Sequence, residues 1–423
     1  MGKEIIEKFL EEFDKHSRNN RTYGRLAFHV LIGQALKHIE VHCGGYYFDI
    51  RTHLMLLMPS GTGKSRGYPI LNTIMQRLQM HVTQVTEITD AALLGTIEEN
   101  PDWHHVTNPE VERWQSVPGL LQETDVFFMD ESEILFNPKK THIQSTLTYF
   151  QQAFNPIGSP NNLIIKKLAH GSAITVAPTC SGIFLSYTPK DVIDYIMTKG
   201  FFQRVILFPK KVSEEDRIKN QEEEINLLGT ETANESNISD VVKFIKELQV
   251  KYAKTRSFGF SKDAKTVFKN QQKKFWLYTK TSTTRIKEIM GSFISRYVPM
   301  SYLLAVHHAI IHGRQLVEPA DAKYSTELML KTFQHLLSWL EDEPILGEEK
   351  DEKRHTVVVQ SIYAKMKPDN MGYVLKSNLV KTLKKSWQVS LPTVNARLKI
   401  FESKIKTTET WKNGKKIWKI VEK

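Results

Sequence analysis

Cysteine is almost absent: Cys43 and Cys180 are the only two in 423 residues. Two lone thiols build neither a disulfide framework nor a cysteine zinc site, and they fit a reducing, cytoplasmic setting. Long apolar runs are missing as well. None approaches the ~20 residues that a membrane span requires, and the opening MGKEIIEKFLEEFDKH has the pattern of a charged amphipathic helix rather than a signal peptide. No internal repeat and no long low-complexity tract interrupts the chain. With 40% hydrophobic and 25% charged residues, the composition is that of a globular protein of two to four domains.

Most of the chain also lacks net charge. Residues 361–423 carry 15 Lys and Arg against 4 Asp and Glu, which accounts for the whole net charge of +11. So local an excess points to a polyanion such as nucleic acid.

Periodicity divides the rest. Residues 1–40 read as two helices, the second from Tyr23 to about Glu40. Strand-like runs follow at Tyr46–Ile50 and His53–Met58, then a Gly-containing turn and a helix from Lys64 to about Met80. Val82–Thr86 is a short strand, Asp90–Glu99 a short helix, and residues 100–118 a turn-rich insertion. Val126–Met129 is a buried strand, Gln144–Ala153 a helix, Asn162–Lys167 and Ala173–Ala177 a hairpin, and Ile183–Tyr187 and Val205–Phe208 further buried strands. Strands alternating with helices predict an α/β fold with a parallel sheet. Ser213–Asp240 reads as a linker or long loop, and residues 240–340 as mostly helical, including Ser292–His312 and Ala320–Trp339. The expected domains are an N-terminal helical segment at 1–44, a nucleotide-binding core at 45–212, a linker and helical lid at 213–345, and a basic domain at 350–423.

The sharpest local pattern is His53-Leu-Met-Leu-Leu-Met-Pro-Ser-Gly-Thr-Gly-Lys-Ser65. A hydrophobic strand running into a Gly-containing loop and then a helix is the context of a phosphate-binding P-loop. Met58 stands where the first loop Gly is usual. Pro59, Ser60, Gly61, Thr62 and Gly63 would wrap the phosphates with backbone N–H groups. Lys64 would sit on the β and γ phosphates of ATP, and the Ser65 hydroxyl would ligate Mg²⁺. Asp130 follows 66 residues after Lys64, in Val126-Phe-Phe-Met-Asp-Glu131. Asp130 would join Ser65 in holding the metal, and Glu131 would polarise the attacking water. Thr188, just beyond the Ile183-Phe-Leu-Ser-Tyr187 strand, is the expected γ-phosphate monitor, with Ser186 the second choice. Arg204 lies directly before the strand in Gly200-Phe-Phe-Gln-Arg-Val-Ile-Leu-Phe208, where it can reach a neighbouring subunit's γ-phosphate as an arginine finger. Its use implies a ring, expected to be a hexamer.

MPSGTGKS, VFFMDE, LSYTP and GFFQRVILF, in that order, resemble the motifs of AAA+ ATPases. Among these they most resemble helicases of the minichromosome-maintenance kind and the related ATPases of viruses and other mobile elements. The resemblance covers roughly residues 45–310. It implies an ATP-hydrolysing ring helicase of DNA replication. It also implies that Arg296, in Phe293-Ile-Ser-Arg-Tyr-Val, is the lid arginine that contacts nucleotide. Lys166 and Lys167 lie where that family carries a hairpin that contacts single-stranded DNA inside the ring. A replication initiator, loader or packaging ATPase that does not unwind is the first alternative, and a nucleotide-gated DNA-binding regulator the second.

Residues 355–423 read as a winged helix. A first helix covers about Thr356–Met366. A second starts near Lys376 with Ser377 or Asn378 as cap, and a third runs from Pro392 to about Ser403. Asn413-Gly414 between two alternating runs signals a two-residue hairpin. Thr393, Asn395, Arg397 and Lys399 would form the DNA-facing side of the third helix, and Lys412, Lys415 and Lys416 the charge of the wing. Trp103, His104 and His105 read as loop residues. His307, His308 and His312 read as packing or capping residues of a helix rather than ligands.

Overall fold

The structure is a computed structural model. It describes residues 2–17, 21–59, 62–85, 88–100, 103, 114–132, 135, 145–167, 173–186, 200–210, 212–226, 228, 234–280, 282, 284–342, 358–366, 368–387, 391–412 and 414–421. The chain forms two compact units, Met1–Trp339 and Leu340–Lys423.

The first unit is α/β. In chain order its early elements are helices α1 (Gly2–Ser17) and α2 (Arg21–Ala35), then strands β1 (Glu40–Cys43), β2 (Tyr46–Asp49) and β3 (Leu54–Leu57). A 3₁₀ turn (Lys64–Gly67) leads into α3 (Tyr68–Arg77), followed by β4 (Val82–Val85), α4 (Asp90–Leu94), β5 (Gly95–Glu99), β6 (Trp114–Pro118) and α5 (Leu120–Glu123). Next come β7 (Val126–Met129), α6 (Thr146–Ala153), β8 (Ile164–Lys167), β9 (Ala173–Val176), β10 (Ser181–Ser186) and β11 (Ile206–Pro209).

Five of these strands make the central sheet, in the order β11-β3-β10-β7-β4. Every neighbouring pair is parallel. Every residue of β3, β7, β10 and β11 is buried, whereas the edge strand β4 is only partly covered. A parallel sheet is covered on both faces, so its inner strands carry unbroken apolar runs rather than an alternation. The runs LMLL, VFFM, SGIFLS and ILFP follow that rule.

Helix α2 runs antiparallel to the strands. At its carboxyl end the Gln34 side chain accepts from Ser181 Oγ at 2.9 Å and donates to Asp125 Oδ1 at 3.2 Å, beside the amino ends of β10 and β7. Tyr23, eleven residues earlier and therefore about 16 Å away at 1.5 Å per residue, lies toward the opposite, carboxyl edge of the sheet.

Several local expectations change in the structure. Ser213–Asp240 is not a plain linker: helix Glu214–Asn226 occupies its first half, and helix Glu235–Tyr252 starts within it. The first of these exposes polar residues on all its described faces, so it lacks the apolar stripe by which a helix is read from sequence. The helix expected over Asp90–Glu99 stops at Leu94. Gly95 adopts φ 97° there and opens β5, which pairs antiparallel with β6 from inside the expected insertion. Helix α1 does not form a separate segment. Lys8 pairs with Asp240 at 2.7 Å, and Glu12 accepts from the Asn234 amide and the Asn237 side chain, each at 2.8 Å. Nor is the helical region a detached lid. Tyr297, in helix Thr284–Ile311, donates to the Leu207 carbonyl at 2.9 Å, and His335, in helix Pro319–Asp342, packs edge-on against Phe208 at 5.0 Å. Both helices therefore close the β11 side of the sheet. The segment Ile286–Ile311 is long and apolar enough to cross a membrane, but two-thirds of its apolar window is buried inside this unit.

The second unit contains a helix at 358–365, strand β12 (Val374–Leu375), helices Lys376–Trp387 and Leu391–Lys404, and the hairpin β13 (Thr407–Lys412) and β14 (Lys415–Ile420). Its antiparallel sheet has the order β12-β14-β13. Val359, Leu379, Leu383, Val394, Leu398, Phe401 and Trp418 form one core. The indole N–H of Trp418 donates to Glu402 at 2.9 Å, so the largest core side chain leaves no buried donor unpaired. The second helix starts at Lys376 itself, so neither Ser377 nor Asn378 is its cap.

Candidate functional site

The Gly-containing loop leaves β3 at the carboxyl edge of the sheet. Within it the Thr62 hydroxyl donates to the Pro59 carbonyl at 2.7 Å, closing the loop on itself. Gly63 takes a left-handed conformation, φ 76° and ψ 15°, which costs glycine little and other residues more. The chain then enters the 3₁₀ turn at Lys64 rather than a continuous α-helix, and α3 begins at Tyr68 with Pro69 in its first turn. No side chain caps the turn, so its leading N–H groups are open to an anion. Lys64 is buried and has no hydrogen-bond or ion-pair partner among the described residues. An unpaired ammonium in that setting is costly and calls for a negative partner. Ser65 is half-buried beside it. Ser60 and Gly61 lie outside the described residues.

Asp130 and Glu131 leave β7 at the same edge. Only β10 separates β7 from β3, so the two exits are about 10 Å apart at ~4.8 Å per strand. Register matches them along the strands: Met129 is level with Phe184, and Phe184 with Met55, so Asp130 falls near the end of β3. The turn is held against β10 by the Ser132 hydroxyl, which donates to the Leu185 carbonyl at 3.1 Å. Glu131 has φ 57°, and its amide donates to Asp130 Oδ1 at 3.0 Å. A non-glycine residue held left-handed costs on the order of 1–2 kcal/mol, and such outliers gather at functional sites. Ser186 ends β10 directly beside Leu57, and its carbonyl accepts from the Met58 amide at 3.0 Å. Thr188 lies outside the described residues.

The N-terminal helices supply two contributors that sequence reading missed. Phe13 of α1 packs on Gly67, where a β-carbon would come within 2.5 Å of its ring. Tyr23 of α2 packs edge-on against Phe13 at 5.0 Å. Its hydroxyl is buried without a hydrogen-bond partner among the described residues. Burial, and then the charge of Asp130, raise its pKa. No local motif signals either residue, because both reach this edge through long-range packing.

Arg204 and Arg296 are elsewhere. Arg204 precedes β11, so it lies at the amino edge, beyond about 13 Å of strand from the Lys64 edge. Its Nε donates to Asn155 Oδ1 at 2.9 Å and its Nη1 to the Gly200 carbonyl at 2.8 Å. Arg296 lines the same cavity of ≈ 80 Å³, with His53, Asn155 and Gln203. Burial, then the nearby Arg296 charge, bring the Arg204 pKa down to about 10. The structure therefore brings Arg296 to Arg204 at the amino edge rather than to the Lys64 edge of the sheet. A third arginine at this edge is fully satisfied: Arg51 makes a bidentate pair with Asp49, at 2.6 and 3.0 Å, and donates to the carbonyls of Cys180 and Asn155.

Lys166 and Lys167 sit in β8, paired antiparallel with β9. Adjacent strand residues point to opposite faces, so the two lysines project from opposite faces of this hairpin. The intervening turn, 168–172, lies outside the described residues. In the second unit Asn395 and Lys399 are exposed on helix Leu391–Lys404. Thr393 and Arg397 are on the same helix, but their side chains lie outside those described. Lys412, Lys415 and Lys416 are exposed on the hairpin, where Lys412 is 3.6 Å from Asp369 and Lys416 pairs with Glu409. Of the discounted histidines, His307 bonds the Ile50 carbonyl at 2.7 Å and His308 bonds Asp321 at 2.6 Å. No known protein family matches this chain, and no curated protein matches its sequence.

Proposed function

We propose that this chain is a magnesium- and ATP-dependent motor of the AAA+ kind that acts on DNA, with a P-loop after β3 and a winged helix at 350–423. The observation that carries the reading is the meeting of Lys64 and Ser65 with Asp130 and Glu131 at one edge of one parallel sheet. Ligands of open α/β sheets bind outside the carboxyl ends of the strands. In this reading the loop amides and Lys64 bind the β and γ phosphates. Magnesium, between Ser65 and Asp130, would supply positive charge to the phosphate oxygens. Glu131 orients water for attack on the γ-phosphorus, giving ADP and phosphate.

Arg204 cannot serve the nucleotide of its own chain, because it sits at the other edge of the sheet. We assign it to the nucleotide of a neighbouring copy, together with Arg296 from the same cavity. This arrangement calls for a ring, and a hexamer is the form we propose. Turnover then moves DNA-contacting elements, among them the β8–β9 hairpin with Lys166 or Lys167.

The test is steady-state ATP hydrolysis with Mg²⁺, with and without DNA, for the wild type, Lys64→Ala, Glu131→Gln and Arg204→Ala. The expected result is hydrolysis stimulated by DNA and lost in all three variants. Variants that hydrolyse ATP like the wild type would show that the site is misassigned. Hydrolysis without separation of a forked DNA would move the reading to an initiator, loader or packaging ATPase.

A further inference from the structure

Trp411 is 67% exposed, on a small unit that buries its other described core tryptophan, Trp418, completely. Both rings belong to the same hairpin face, since Trp411 pairs with Lys416 and Glu409 pairs with Trp418. Trp411 therefore continues the core-facing side of the hairpin past the end of the core. Lys416 Nζ stands 5.9 Å from its ring centre. No second aromatic ring packs on it among the described residues. Leaving so large an apolar ring in water forfeits the stability that its burial would supply.

The charges around the ring are not equivalent. Lys416 and Lys376 are both paired with Glu409, and Lys419 lies over the Tyr373 ring at 4.6 Å. Lys415 is exposed with no partner among the described residues, and Lys412 has only a long contact to Asp369 at 3.6 Å. The two lysines nearest the turn, facing each other across it, are thus the ones available to phosphate. The surrounding segment, 361–423, holds the chain's entire positive excess.

We propose that this hairpin is a binding site for unpaired nucleotides, in which Trp411 stacks on a base at one face while Lys412 and Lys415, which project from the opposite face beside the turn, hold phosphates where the strand passes round the hairpin tip. An open ring beside mobile cations is the recurrent means of holding single strands without reading their sequence. Duplex bases cover one another's faces, so the same ring has little to offer a closed helix. The site rests on the reading that the chain works on nucleic acid, but not on ATP hydrolysis.

The experiment is fluorescence anisotropy of labelled oligonucleotides with the full chain and no nucleotide present. The probes are oligo-dT, oligo-rU, an abasic strand of equal length, and a duplex. Trp411→Ala should weaken dT binding about 5- to 150-fold and leave abasic and duplex affinity unchanged. Trp411→Phe should recover most of the loss, because it restores an aromatic face. Lys412→Ala and Lys415→Ala should weaken every probe and flatten the salt dependence by about one ion each. The dT and rU arms report whether DNA or RNA is preferred. If Trp411→Ala binds dT like the wild type, or loses abasic and duplex affinity equally, the stacking site is wrong. A Trp411→Ala chain with a changed oligomeric state and unchanged dT affinity would identify the ring as a protein contact and overturn the proposal. Should the wild type bind none of the probes, the nucleic-acid reading itself fails, a result distinct from the other three.

Discussion

The two edges of the parallel sheet treat positive charge in opposite ways. At the carboxyl edge Lys64, buried and without a partner among the described residues, shares its edge with two carboxylates, Asp130 and Glu131, one strand away across β10. At the amino edge Arg51, Arg204 and Arg296 line one cavity, with Asp49 the one carboxylate among its described lining residues: Arg51 pairs with Asp49, and the Arg296 charge weighs on Arg204. A cation completed by its own chain is a structural part. In the proposed reading, a cation without a carboxylate partner among the described residues serves a group outside the chain. Arg51 belongs to the first kind and Arg204, whose described partners are the uncharged Asn155 side chain and Gly200 carbonyl, to the second.

The largest test of that contrast is Arg204→Ala. Removing an arginine that stabilises the transferred phosphoryl group should lower ATP turnover by about 10³-fold or more, with ATP affinity little changed. Lys64→Ala should instead abolish binding. Mixing the two inactive variants should restore part of the activity, since some interfaces then combine an intact Lys64 with an intact Arg204. Turnover assays of the mixture, read against each variant alone, decide it. No recovery would mean that both residues serve one chain.

Stability gives the next effect. Asp49→Ala leaves the Arg51 guanidinium buried and unpaired, at a cost of about 3–5 kcal/mol, seen as a lower urea midpoint. Arg296→Ala should change the stability by no more than about 0.5 kcal/mol, because that side chain has no hydrogen-bond or ion-pair partner among the described residues. Equal costs for the two would erase the distinction between structural and reserved arginines.

A third, comparable effect depends on pH. His307 is buried neutral, and desolvation pushes its pKa down to about 4. The unfolded chain takes up this proton near 6.5, so stability is intact above that pH and falls as the pH drops toward 4, by on the order of 3 kcal/mol. His29 and His53 are depressed by burial in the same direction. Urea titrations between pH 7.5 and 4 should show the decline, and His307→Gln, which keeps a donor for Ile50, should make it shallower.

The smallest effect concerns Tyr23. Its buried hydroxyl has no partner among the described residues to lose, so Tyr23→Phe should leave the stability within about 1 kcal/mol. If the hydroxyl serves the bound nucleotide beside Asp130, hydrolysis should still fall several-fold. Unchanged turnover would make Tyr23 a packing residue only.

How much of this could be read from the residues alone depended on the kind of signal. Buried parallel strands announce themselves as unbroken apolar runs, so β3, β7, β10 and β11 were placed within two residues of their ends. The loop residues and the acid pair were found because strand, turn and helix fix them locally. Helix Glu214–Asn226 escaped because it has no apolar face. Phe13 and Tyr23 escaped because only α1 and α2, folding back from the start of the chain, bring them to the site. The edge that Arg296 reaches was not legible, because a position on a helix says nothing of which end of a sheet that helix meets. Tyr297, its neighbour, bonds to Leu207 and so fixes Arg296 near the start of β11.

The account turns on a single triphosphate touched from two chains. A structure of the assembled protein with Mg²⁺ and a non-hydrolysable ATP analogue tests this directly. The γ-phosphate should lie about 3 Å from Lys64 Nζ, with Ser65 and Asp130 around the metal and the neighbouring copy's Arg204 approaching from the far side. Nucleotide bound away from the loop after β3, or Asp130 and Glu131 turned away from it, would contradict the account.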